Sequence, residues 1–206
     1  MTMNEFIFKV KRKIKYIIGY TFFQYPRVLK YKILSNCRNL KGTPKINQPT
    51  QLLGEGTLVF GRNVKLGYSP SPYLYSGYGY IDARKSSSKI IIGDDVMINN
   101  NFTIISEGEG EGIEIGEKTL IGSNVEITDS DFHDLHPKRR RGGMPKTAKI
   151  TIGKNVFIGS NVKILKGVTI GDNSVIANSS VVTKNIPEKV IAGGYPCKVI
   201  KSLDLN

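Results

Sequence analysis

Aliphatic side chains recur at every sixth position from residue 150 onward: Ile152, Ile158, Ile164, Ile170, Ile176 and Val182. Val156, Val162 and Val168 stand four places after the first three, and Ser174 and Ser180 continue that second row. Glycine follows the aliphatic at Ile152-Gly153, Ile158-Gly159 and Ile170-Gly171. The same unit stands upstream at Ile92-Gly93-Asp94-Asp95-Val96, at Ile121-Gly122-Ser123-Asn124-Val125 and, more weakly, at Phe60-Gly61-Arg62-Asn63-Val64. A period of six matches neither the 3.6 of a helix nor a hairpin meander. It is three times the strand period, so a short strand and a sharp turn can repeat without limit. Gly, Asn and Asp at the turns tolerate left-handed backbone angles. The pattern predicts an all-β fold, a parallel β-helix with aliphatic ladders inside a narrow prism.

Breaks in phase mark where the chain leaves the prism. Ile104 to Ile115 is 11 residues, one short of two hexads, and holds the acidic turn Glu107-Gly108-Glu109-Gly110-Glu111-Gly112. Ile127 to Ile152 is 25 residues, one more than four hexads. This second gap, an excursion loop around residues 129–150, contains both histidines of the chain, His133 and His136. Functional side chains concentrate on such loops above a rigid scaffold.

The first 45 residues follow another rule. Basic residues alternate with Phe6, Phe8, Val10, Ile14, Ile17 and Ile18, and Phe22-Phe23 precede Pro26. The spacing predicts a short amphipathic helical segment, a break near Pro26 and a second helix over 27–38. Two readings stand side by side: a surface helix on anionic lipid, contacting a membrane through residues 1–35, or a cap over the first coil. The expected organisation is a basic helical segment at 1–45, a β-helix at 46–201 and a tail at 202–206.

Charge sharpens this division. The 206 residues carry a formal charge of +13, of which +10 lies in residues 1–45, leaving the coils nearly balanced. A general polyanion-binding reading is thereby weakened, and no nucleic-acid partner is expected. Lys138-Arg139-Arg140-Arg141 is a local excess in the histidine loop, suited to attracting an anionic acceptor. Two cysteines, Cys37 and Cys197, form no disulfide framework and fit a reducing compartment. No apolar run reaches the roughly 18 residues of a membrane span. The expected location is cytoplasmic, with peripheral contact at an inner membrane.

The hexads, the segment Asp129-Ser130-Asp131-Phe132-His133 and the ending Gly193-Gly194-Tyr195-Pro196-Cys197-Lys198 together resemble the hexapeptide-repeat acetyltransferases. The resemblance is narrowest to maltose/galactoside-type and capsule or lipopolysaccharide sugar O-acetyltransferases. It also rests on Ile81-Asp82-Ala83-Arg84 and Ile98-Asn99-Asn100-Asn101, and covers roughly residues 58–201. It implies a left-handed coil, a homotrimer with sites between neighbouring prisms, acetyl-CoA as co-substrate and no metal. The acceptor would be a sugar or glycan, lipid-linked or free.

Acetyl transfer to a hydroxyl needs a base, and histidine titrates near neutrality. The resemblance places His133 in that role. Asp131 or Asp129 would orient the imidazole or bind a sugar hydroxyl, and Asp-Ser-Asp also forms turns unaided. His136 is read as structural or acceptor-facing. Asn101 and Arg84 are carried over as acceptor contacts, although Asn at a hexad turn is also purely structural. Ser160, Asn178, Thr183 and Lys184 are carried over to the coenzyme, with Lys198 and Lys201 near its phosphates. Cys197 is expected to pack rather than react. Competing readings are N-acetylation of an amino sugar and, from another class, a non-catalytic β-helix binding membrane or polyanion. A β-helical carbonic anhydrase is disfavoured, because two histidines do not supply three zinc ligands.

Overall fold

The computed structural model describes residues 2–108 and 112–204. Three parallel sheets form the faces of a left-handed β-helical prism. The first sheet stacks strands 39–41, 57–60, 89–92, 113–115, 150–152 and 169–170. The second stacks 45–46, 65–66, 97–98, 120–121, 157–158, 175–176 and 190–193, with 198–202 added antiparallel at its edge. The third stacks 50–53, 79–83, 103–106, 126–128, 163–164 and 181–182.

The hexad aliphatics are the rungs of these sheets. Ile92, Ile115, Ile152 and Ile170 pair in the first sheet, Ile98, Ile121, Ile158 and Ile176 in the second, and Ile104, Ile127, Ile164 and Val182 in the third. One coil of the regular region therefore spans 18 residues, as the pairing of Thr151 with Thr169 shows. These ladder side chains are buried, and each fully buried aliphatic contributes roughly 1.5–3 kcal/mol. Asparagines take left-handed angles at the corners, among them Asn101, Asn124 and Asn161. Their amides stack, Asn101 donating to Asn124 at 3.1 Å and Asn124 to Asn161 at 2.8 Å.

The helical segment differs from the expectation in detail. Helix α1 spans Met3–Gly19 and α2 spans Tyr25–Ile33, joined by a π-turn at Tyr20–Gln24. Pro26 lies in the first turn of α2, where its missing N–H and its ring fit, so the wider π-turn replaces a full break. The second helix ends at Ile33, five residues before the expected limit, because the chain turns to meet the prism. Asn36 and Cys37 donate their backbone N–H groups to the Leu52 carbonyl, and the first strand follows at Asn39–Lys41. No residue of α1 is buried, and the contacts of the helical segment with the prism run through Gln24 and α2. Among the described residues, no helix is long and apolar enough to cross a membrane.

The excursion at 129–149 lies where the phase break predicted it, between strands 126–128 and 150–152. A second excursion, residues 67–78, joins strands 65–66 and 79–83 and docks against the helical segment. Buried Gln24 donates to the carbonyls of Asn47 and Leu74, each at 2.9 Å. Arg27 donates to the carbonyls of Leu74 and Gly77, and Tyr31 stacks on Tyr78 with ring centroids 4.7 Å apart. The acidic turn after Ser106 falls partly on residues 109–111, which lie outside the described residues.

Candidate active site

The histidine loop is tied at its base by Asp129. This fully buried carboxylate accepts hydrogen bonds from Ser106 Oγ at 2.7 Å, Glu107 N at 2.7 Å and Gly108 N at 3.2 Å. Its oxygens point into the turn rather than outward, so the residue anchors the loop and is not placed to meet an acceptor. Ser130 donates to Glu107 Oε2 and pairs with Thr147 across the loop base, while Asp131 N donates to the Lys146 carbonyl. The two ends of the loop thus form a short antiparallel clasp.

Beyond the clasp, Phe132 has φ of +59°, a left-handed angle that a bulky side chain rarely adopts. The Ser130 hydroxyl accepts from Phe132 N and helps to hold that conformation. Such strain marks a position fixed by its surroundings. The Phe132 ring lies 5.1 Å beneath the Arg84 guanidinium, which donates from Nε to Asp82 Oδ2 at 2.9 Å. Tyr80 donates its hydroxyl to the same oxygen. Burial works against the Arg84 charge, but the bond and the charge of Asp82 outweigh it and hold the guanidinium above its ordinary value. Burial, then the Asp82 charge, likewise raises the Tyr80 phenol. Arg84 therefore joins the prism to the residue preceding His133.

His133 is exposed, and its Nδ1 lies 3.2 Å from the Arg140 carbonyl oxygen. A carbonyl only accepts, so Nδ1 carries a hydrogen, and in the neutral ring this tautomer leaves the lone pair on Nε2. The expected carboxylate–imidazole pair is not formed. Asp131 Oδ1 instead accepts from Lys166 Nζ at 2.7 Å, and Asp131 Oδ2 is buried without a hydrogen-bond partner among the described residues. The backbone of the same loop does the orienting that a carboxylate was expected to do.

His136 has a structural place. Its Nδ1 accepts from Lys138 N at 3.3 Å and caps the short 3-10 turn Pro137–Arg139. Asp134 accepts from His136 N and from Arg139 Nε, each at 2.8 Å. The Arg139 bond, then the His136 backbone bond, hold the Asp134 carboxyl below its usual range. Turn and clasp together fix the Arg140 carbonyl that His133 uses.

The remaining expected residues divide between the two edges of the third sheet. Arg84, the histidine loop, Thr183 and Lys184 follow its strands, at the corner leading to the first sheet. Asn101, Ser160 and Asn178 precede its strands, at the corner coming from the second sheet. Asn101 is thus separated from His133 within one chain and belongs to the amide stack. Ser160 N donates to Asn178 Oδ1 at 2.9 Å, and Ser160 Oγ accepts from Ser123 N. Thr183 and Lys184 are exposed, and exposed Lys198 and Lys201 lie on the final antiparallel strand. Cys197 is buried, and burial raises its thiol above the ordinary value.

Sequence reasoning missed the Arg140 carbonyl, the Lys166 partner of Asp131, and the Tyr80–Asp82 support beneath Arg84. The first carries no side-chain signal. The other two join residues far apart in sequence, although Asp82 and Arg84 stand together in the Ile81–Arg84 motif.

Residues 149–184 match the family described as bacterial transferase hexapeptide (six repeats). The chain is 42% identical over 133 residues to the galactoside O-acetyltransferase of Escherichia coli K12, covering 65% of this chain and 60% of that protein. It is 30% identical over 174 residues to the putative lipopolysaccharide biosynthesis O-acetyl transferase WbbJ of the same organism, covering 81% and 79%. The structure resembles a hexapeptide-repeat acetyltransferase of Vibrio cholerae complexed with acetyl-coenzyme A, with 27% identity, a TM-score of 0.51, and coverage of 78% and 71%. With its 18-residue coils, its histidine loop and a relation to WbbJ that runs over most of both proteins, the chain belongs to the hexapeptide-repeat acetyltransferase family.

Proposed function

We propose that this protein is an acetyl-CoA-dependent O-acetyltransferase acting on a sugar hydroxyl in surface-polysaccharide synthesis, with His133 as general base. The observation that carries the reading is the Nδ1 contact to the Arg140 carbonyl, which leaves Nε2 as a proton acceptor on an exposed, braced loop. Relatives named for galactoside and lipopolysaccharide O-acetylation support the acceptor class.

The donor set suits the coenzyme. Lys184, Lys198 and Lys201 are exposed cations of the kind that meet phosphates, and the Ser160–Asn178 corner presents small polar groups beside the third sheet. When bound, acetyl-CoA supplies an acyl carbon activated as a thioester. Nε2 of His133 would take the proton of the acceptor hydroxyl as that oxygen attacks the thioester carbon, and would pass it to the coenzyme sulfur as the C–S bond breaks and the thiol leaves. The Arg140 carbonyl stabilises the imidazolium through Nδ1–H. Asp131, ion-paired to Lys166 at 2.7 Å, ties the histidine loop to the neighbouring coil. The raised Cys197 thiol keeps its proton, which suits direct transfer without a thiol intermediate.

Two edges of one sheet carry the two halves of the proposed site. A second prism placing its Ser160–Asn178 corner against the first prism's histidine loop would complete it, which supports a homotrimer.

The test is turnover of His133→Ala and His133→Asn with labelled acetyl-CoA and a panel of sugars and lipid-linked glycans. Both variants should stay folded and lose about 10²–10⁴-fold in kcat. Wild-type turnover in either would overturn the assignment of the base.

A further inference from the structure

Helix α1 carries an apolar stripe that its own chain does not cover. Met3, Phe6, Ile7, Val10, Ile14 and Ile17 recur at spacings of three and four and share one helix face. All six are exposed, Ile14 by 51% and Ile17 by 52%. The opposite face of α1 turns toward the prism. Lys9, Arg12, Lys13 and Tyr16 line a cleft with Ser69 and Pro70 of the 67–78 excursion. Arg12, Lys15 and Tyr16 line a second cleft with Tyr75. No residue of the stripe lines either cleft, so the stripe looks away from the molecule.

Its borders are cationic. Lys11 and Lys13 flank the stripe on its two sides, with Arg12 and Lys15 behind them. The single acid of the helix, Glu5, is used internally: its carboxylate accepts from Thr2 N in the capping box. Long basic side chains beside an apolar stripe can lay their stems on hydrocarbon while their charges reach anionic headgroups.

We propose that the Met3–Ile17 stripe lies in the surface of an anionic phospholipid bilayer and holds the prism beside it. A second copy of α1 fits less well. Helices that pair along a stripe place opposite charges at its borders, whereas here the borders are basic and the only acid is engaged. The Gln24 and Arg27 bonds fasten the base of the helical segment to the prism, so a docked helix carries the prism with it. The docking is independent of the acetyl-transfer chemistry.

The experiment is co-sedimentation of the full chain with phosphatidylcholine vesicles, with and without about a third phosphatidylglycerol. Wild type should pellet with the anionic vesicles and be released by salt. Ile7→Ser combined with Ile14→Ser should lower that partition by about tenfold or more, with an unchanged melting temperature, because both positions are exposed. Lys11→Glu combined with Lys13→Glu should remove the preference for the anionic vesicles. Failure of wild type to pellet, or equal partition of the serine variant, would overturn the proposal. A lower assembly mass of the serine variant in lipid-free buffer would also overturn it, because the stripe would then be buried between copies.

Discussion

Asp129 offers a sharp test, because its sequence position suggests an acceptor contact and its geometry makes it an anchor. Asp129→Ala removes a carboxylate that accepts three hydrogen bonds at 2.7, 2.7 and 3.2 Å. Two of the donors, Ser106 Oγ and Gly108 N, are buried and would lose their partner inside the protein. Each stranded buried donor costs about 1–3 kcal/mol. Glu107 N is only partly buried, reaches water and adds little. Relief from holding a buried carboxylate offsets part of the loss, so the net cost is about 3–4 kcal/mol. For a chain of this length that corresponds to a fall of about 10 °C in melting temperature. Asp129→Asn keeps the shape but turns an NH2 toward a donor, and should cost about 2 kcal/mol. The assay is urea and thermal unfolding at fixed protein concentration, with steady-state kinetics on the same samples. An alanine variant of wild-type stability, with KM for the acceptor raised and kcat unchanged, would refute the anchor and restore the acceptor role.

Two further predictions follow from the loops. Asp134 titrates below the usual carboxylate range in the folded chain, so the stability it lends is present above its unfolded value and is lost as pH falls through the depressed one. Amide exchange at Arg139–Gly143 should therefore stay slow to below about pH 4 in wild type and be fast at every pH in Asp134→Asn, with kcat/KM down about tenfold; equally slow exchange in the variant would contradict this. Arg27→Ala leaves the Leu74 and Gly77 carbonyls without their guanidinium partner, a local loss of about 1.5–3 kcal/mol. Hydrogen exchange in residues 67–78 should accelerate while acetyl transfer to a soluble sugar is unaffected, and unchanged exchange would show that the loop stands without Arg27.

The prism was legible because its physics is periodic. A ladder of isoleucines in phase over 150–182 admits few folds, and its loss of phase located the histidine excursion to within a residue. The 67–78 excursion was harder to see, although Ser69-Pro70-Ser71-Pro72 is turn chemistry and Leu66 to Ile81 falls out of hexad phase. Its shape depends on contacts with Gln24, Arg27 and Asn100, partners no local pattern reveals. In the site, residue types pointed to His133, but not to what holds it. A backbone carbonyl has the same identity in every residue, so Arg140 could not be singled out by its side chain. Asp131 and Asp129 were legible as important and illegible as to partner, because Lys166 and Ser106 come from other coils. The end of α2 differs for a plainer reason: Ser35, Asn36 and Cys37 are weak helix formers, and hydrogen bonds from Asn36 and Cys37 to Leu52 hold the chain in another course after Leu34.

The stacked asparagines at the corner make the prism a ruler. Asn101 donates to Asn124 and Asn124 to Asn161, each one rung onward, so the coils are marked off by a repeating chemical unit rather than by a continuous surface. Each rung advances about 4.8 Å along the axis. Distances between the histidine loop, the Ser160–Asn178 corner and the final lysines can therefore change along that axis only in whole steps. Duplicating residues 150–167 would move everything downstream by one such step while leaving every local contact type intact. An extended ligand laid along the axis would be measured in those graduations, and an enzyme of this design could be retuned for longer or shorter ligands by adding or deleting a coil.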